Sequence, residues 1–68
     1  MEIKTKYNIG DTVYIIDGSR IKRAVIEDIW IAAIEGYMKI SYRFKLYPMK
    51  PEAECFATKE ELINHLKQ

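Results

Sequence analysis

One cysteine, one histidine, three glycines and two prolines are spread through this chain, and each scarcity removes a class of answer. Cys55 has no second cysteine to pair with, so no disulfide staples the fold. A lone thiol suits a reducing, cytoplasmic setting. A single Cys55 and a single His65 fall short of the converging His, Cys and carboxylate ligands that a metal site needs. Scattered glycines leave no loop to cradle a phosphate. No apolar run approaches the roughly 20 residues of a membrane helix. The opening MEIKTKYNIG has no apolar h-region, so neither a membrane span nor a secretory signal is expected. Charge of one sign is also lacking. The formal net charge is +1, which by balance alone makes the whole chain neither a polyanion binder nor an acidic decoy.

What is present is an alternation. In 37–47, YMKISYRFKLY, the residues Met38, Ile40, Tyr42, Phe44 and Leu46 fall on one strand face and Lys39, Ser41, Arg43 and Lys45 on the other. A period of two over this length marks a half-buried antiparallel strand. The rest reads as strands that pair with it or a helix that covers it. The 68 residues are expected to form a single domain, 1–68. A domain of this size buries only about 60% of its unfolded surface, so it needs a compact core, a staple or a partner.

Residues 1–6 are polar apart from Ile3 and are expected to extend or fray. Gly10-Asp11 signals a turn. Strand one follows at 12–17, TVYIID, apolar on both faces and so covered on both sides or bent within a barrel. Asp17-Gly18 opens a tight turn. A long second strand, about 20–34, changes parity midway. Ala24 and Ile26 share one face, whereas Ile29, Ile31 and Ala33 have the other parity. A β-bulge at Glu27-Asp28 would bring all five to the core side and bend the strand.

Glu35-Gly36 closes the next hairpin. A two-residue loop pairs Ile34 with Tyr37, Ile31 with Ile40 and Ile29 with Tyr42, and sets Asp28 opposite Arg43. Trp30 and Ile34 then lie outside beside Tyr37 and Lys39. A three-residue loop reverses this, placing Trp30 inside and Ile29 and Ile31 outside. The two-residue loop reconciles more apolar positions. Pro48 and Pro51 make 47–53 a loop. Residues 54–57 read as a short fourth strand anchored by Phe56. Thr58 with Glu61 forms a capping box for a helix over 59–66, whose apolar face is Leu62, Ile63 and Leu66.

Gly10-Asp11-Thr12-Val13-Tyr14 resembles the opening of small SH3-like barrels, including KOW and Tudor-type modules. Ile26, Ile29 and Ile31 on a long bent strand, and then 37–44, continue the resemblance, with Arg23-Ala24 standing where KOW motifs carry a glycine. Residues 56–62, FATKEEL, look like the closing strand and helix of uncharacterised bacterial or phage proteins of this type. The resemblance covers about residues 7–66. It implies a mainly β fold with a C-terminal helix, a small and strongly bent antiparallel SH3-like barrel of four to five strands. It further implies a binding module for nucleic acid or other proteins.

Catalysis is not expected, because no constellation of side chains meets the geometric requirements of a reaction. Cys55 reads as a buried small hydrophobe, and His65 as complementing the negative end of the helix. No metal and no small-molecule cofactor is implied. Residues 20–50 hold seven basic and three acidic side chains, and 51–68 two basic and four acidic, so the middle of the chain is basic and its end acidic. On the outer face of strands two and three, Trp30, Ile34 and Tyr37 stand beside Lys39, Arg43 and Lys45. Such a mixture suits a protein interface, including a homodimer. It also suits single-stranded nucleic acid, where bases stack and phosphates pair. The plainer alternative is Trp30 in the core or under the N-terminal arm. The favoured expectation is a non-enzymatic module that binds protein or itself, with nucleic-acid binding as the alternative.

Overall fold

The computed structural model describes residues 4–67. Four antiparallel strands, β1 (Thr12–Asp17), β2 (Arg20–Ile34), β3 (Tyr37–Phe44) and β4 (Lys50–Pro51), form a sheet in the order β1-β2-β3-β4. A 3₁₀ turn at Glu52–Glu54 and a helix, α1 (Lys59–Leu66), complete the chain. The protein is mainly β, its sheet curled into a half-barrel with one C-terminal helix.

The curl comes from β2. Its first half pairs with β1, from Asp17↔Arg20 to Thr12↔Val25. Its second half pairs with β3, from Ile26↔Phe44 to Ile34↔Tyr37, with the register shifting between Ile26 and Asp28. That shift is the bulge the parity change requires. It bends the strand, so the halves of β2 belong to differently oriented parts of one curled sheet. The hairpin has the two-residue loop, with Gly36 at φ 87°, a conformation glycine adopts without a Cβ penalty.

Val13 and Ile15 of β1, Ala24 and Ile26 of β2, and Tyr42 and Phe44 of β3 fill the concave side, joined by Tyr7 and Cys55. Tyr7 stands in a segment that reads as a turn approach, yet it is buried. Its N–H donates to the Tyr42 hydroxyl at 3.1 Å, and its own hydroxyl donates to the Cys55 carbonyl at 3.2 Å. The arm before it is tied down as far as Thr5, whose hydroxyl donates to the Tyr7 carbonyl. Lys6 N–H donates to the Glu52 carboxylate at 2.9 Å. The expectation of fraying does not hold for these residues; Ile3 and residues 1–2 lie outside the described residues.

Three expectations are corrected. Strand three ends at Phe44, not at 47, and Leu46 is 80% exposed, because the chain bends before Pro48 and the alternation loses its partner. The fourth strand is Lys50–Pro51, paired with β3 at Ser41↔Pro51 and Tyr42↔Lys50. Residues 54–57 form no strand: the 3₁₀ turn runs through Glu54, and Phe56 makes a single bridge to Tyr14 on the outer edge of β1. Pro51 is tolerated because a proline at an edge costs no central ladder bond.

Helix α1 begins where the cap places it. Thr58 is extended and its hydroxyl accepts from Glu61 N–H at 3.1 Å. Among the described hydrogen bonds the return contact from the Glu61 carboxylate does not occur, so the box is half made. Leu62 is buried, and His65 lies against Phe56 with ring centroids 5.1 Å apart. The imidazole thus has a packing partner besides the helix end.

Candidate functional site

Beyond the bulge, β2 and β3 leave the core together as a two-stranded ribbon. No residue from Glu27 to Ser41 is buried. The radius of gyration is 12.2 Å, against about 11 Å for a compact chain of this length, which is the mark of a projecting element.

Directly opposed residues share a face. One face carries Trp30 opposite Ser41, Ala32 opposite Lys39 and Ile34 opposite Tyr37. The other carries Ile29 opposite Tyr42, Ile31 opposite Ile40 and Ala33 opposite Met38. Trp30 is 55% exposed and Tyr37 61% on the first face; Ile31 is 42% and Met38 43% on the second. The second face was expected to be core throughout. It is core only as far as Tyr42, with Ile29 and Ile40 packed against the edge of the cluster. The reason is length: β1 stops opposite Val25 and β4 opposite Ser41, so among the described residues no strand reaches the far end of the ribbon. The site is therefore an element with two apolar faces rather than a single outer strip.

The three cations Lys39, Arg43 and Lys45 differ in placement. Lys39 is exposed on the ribbon beside Ala32. Arg43 lies lower down, its Nη2 2.9 Å from the Asp28 carboxylate, with both side chains about half exposed at 50% and 46%. Such a surface pair contributes about 0–1 kcal/mol, but it holds the guanidinium against a carboxylate of its own chain. Lys45 is past the end of β3, beside Arg23, Glu27 and Leu46 on the wall of a separate shallow hollow of about 320 Å³. Trp30, Ile34, Tyr37 and Lys39 thus share one face, Arg43 adjoins them on that same face but is held by Asp28, and Lys45 lies past the end of β3. Ile31 and Met38 join the exposed ribbon. No pattern of alternation separates an inward apolar position from one that has outrun its cover; only the lengths of the neighbouring strands do.

No group of three or more His, Cys, Asp or Glu side chains is placed to hold a metal among the described residues. Cys55 is buried, and its thiol is pushed up to about 11, chiefly by desolvation and then by the Glu54 and Glu52 carboxylates. A thiol so shifted is a poor nucleophile at neutral pH. Burial, reinforced by its bond to Glu52, raises the Tyr42 hydroxyl, and burial raises that of Tyr7. These groups tie the N-terminal arm, β3 and the 3₁₀ turn together. No described helix is long and apolar enough to cross a membrane.

No family model, curated protein or solved structure matches this chain.

Proposed function

We propose that this chain is a non-enzymatic binding module, a small barrel of the SH3-like kind, that docks on protein through the projecting β2–β3 ribbon. The observation that carries this reading is the exposure of Trp30, Ile31, Ile34, Tyr37 and Met38 on one element that places no buried side chain in the core. An isolated two-stranded ribbon is marginal in water, and large apolar side chains exposed together on both faces of one element mark an interaction surface. Tryptophan and tyrosine are favoured interface anchors. The buried, unreactive Cys55 is compatible with the reducing cytoplasm of the bacterial or phage-infected cell that the resemblance suggests.

The test is a photo-crosslinking residue in place of Tyr37, with a control in place of Glu60 on the helix, each expressed in a bacterial cell. Protein adducts at position 37 and none at position 60 support the reading. Equal yields at both positions, or none at either, end it.

A second reading, nucleic-acid binding, draws on Trp30, Tyr37 and Lys39 in one patch with Arg23 and Lys45 further along. It is weakened by the Asp28 carboxylate held against Arg43 and by Glu27 beside Lys45. It requires affinity for labelled oligonucleotides that falls steeply with salt. Flat anisotropy at low salt removes it.

A further inference from the structure

We propose that the ribbon's partner is a second copy of this chain, and that the two β2 strands pair edge to edge, antiparallel, into one continuous sheet across a two-fold axis. The proposal rests on the docking reading above and names its partner and geometry.

Ile34 and Tyr37 flank a two-residue loop and exchange both backbone bonds. Alternation from there assigns the N–H and C=O of Trp30, Ala32 and Ile34 to β3, and those of Ile29, Ile31 and Ala33 to the opposite edge. On that edge the last bonds are Gly10 N–H to the Ile26 carbonyl at 2.8 Å and Ile26 N–H to the Asp11 carbonyl at 3.0 Å. Past Ile26, no described strand lies on that side of β2. The arm before Gly10 leads away from it, toward Tyr42 and Glu52.

The other edges are occupied near the core. Phe56 exchanges two backbone bonds with Tyr14 on the outside of β1, at 2.8 and 3.1 Å, and β4 covers β3 at Ser41 and Tyr42. The open edge of β2 is IWIAAI, from Ile29 to Ile34. It holds no charge, no proline and no glycine. Natural sheets guard an unpaired edge with lysine, proline, a bulge or an inward charge. An uncharged strand rich in β-formers, with three residues' worth of backbone donors and acceptors unpaired, is a strand shaped for pairing.

The pattern is self-complementary. An antiparallel pair centred on Ile31 sets Ile29 of one copy against Ala33 of the other, and Trp30 against Ala32. Large therefore meets small at these two pairs, each repeated by the two-fold axis, while Ile31 meets its own copy on the axis. Odd positions meet odd ones, so the apolar faces run on from Ile29 to Ala33, until Asp28 of one copy meets Ile34 of the other at each end. Glu27 and Glu35 approach at the two ends, where solvent screens like charges. Trp30, Ile31 and Ile34 flank the open edge and are 55%, 42% and 40% exposed, whereas Tyr37 and Met38 lie on β3, one strand removed from the seam, so the interface is small and of the weak, reversible kind. The dimer is accordingly weak, and concentration-dependent association is its signature.

The experiment is sedimentation equilibrium of the whole chain over roughly 1–500 µM, with amide hydrogen exchange followed residue by residue by NMR. The wild type is expected to pass from monomer to dimer across that range, and the amides of Ile31 and Ala33 to become protected as it does. Ala33→Pro removes only an N–H that points away from β3, so the hairpin stays closed; it is expected to weaken association at least ~30-fold. Ile31→Lys, which places a charge on the edge, does the same and covers the case of a proline variant that fails to fold. A wild type monomeric throughout, a dimer whose Ile31 and Ala33 amides stay unprotected, or folded edge variants that associate like wild type overturns the proposal. If it fails while position 37 still crosslinks to another protein, docking stands and only self-pairing falls. If position 37 captures nothing, both fall together.

Discussion

Tyr42 sits where three segments meet. Its ring is fully buried, edge-on to Tyr7 with centroids 5.7 Å apart. Its hydroxyl donates to the Glu52 carboxylate and accepts from Tyr7 N–H. Tyr42→Phe keeps the ring and leaves that N–H without its partner, so it is expected to cost about 1–3 kcal/mol, read as a lower urea midpoint at unchanged m. An unchanged midpoint would show the hydroxyl network to be dispensable. Cys55 governs the alkaline side. Its thiol goes from an ordinary 9.0 to about 11 in the fold, so above pH 9 the unfolded chain sheds a proton that the folded chain keeps. Folded protein then binds more protons, and stability falls as pH rises through the window between those values, by at most about 1.4 kcal/mol per pH unit. The raised Tyr42 hydroxyl acts in the same sense at higher pH. Cys55→Ala is expected to make the alkaline limb of thermal melts shallower just above pH 9, before the raised Tyr7 and Tyr42 hydroxyls contribute, and the native thiol to react with a disulfide reagent only as fast as the protein opens. Rapid labelling of folded protein at neutral pH would contradict this burial.

At the scale of elements, β2 and α1 differ in what specifies them. The bulge in β2 follows from a parity change visible in the residues themselves, and the start of α1 follows from Thr58 three positions before Glu61. Thr58→Ala removes the cap bond to Glu61 N–H and is expected to cost about 0.5–2 kcal/mol. The helix has only two turns, so its first-turn amides should lose exchange protection before those of the sheet. Simultaneous loss throughout would show helix and sheet to open as one unit. The fourth strand was less legible. Residues 54–57 have strand composition, but Phe56 finds only the edge of β1 at Tyr14, while Lys50–Pro51 gains strand geometry by lying against β3. Which short segment pairs depends on where a loop containing two prolines returns the chain, and no local pattern encodes that.

Over the whole molecule, the half-barrel and the ribbon are separable by packing. Every buried side chain lies outside residues 27–41. Replacing 33–38 by Asn-Gly closes the hairpin at the Ala32↔Lys39 pair with a turn suited to it, and it leaves Ile29, Ile40 and the core in place. The shortened protein is expected to keep near-UV circular dichroism and to stay within about 1 kcal/mol of the parent in urea unfolding, while losing self-association. Loss of folded structure on this change would place the ribbon in the stability of the fold and remove the reason for assigning it to docking.

Alternation, turn residues and a capping threonine are local properties. By themselves they determined three strands, the bulge, the hairpin register with its Asp28–Arg43 pair, and the helix, because each rests on neighbours a few residues apart or directly opposed. Tertiary structure alone decided that Tyr7 is core, that Leu46 is not, and that Ile31 and Met38 are exposed although their parity matches that of buried Tyr42. Burial requires something on the other side, and whether a neighbouring strand reaches far enough to provide it depends on the relative lengths of segments distant in the chain.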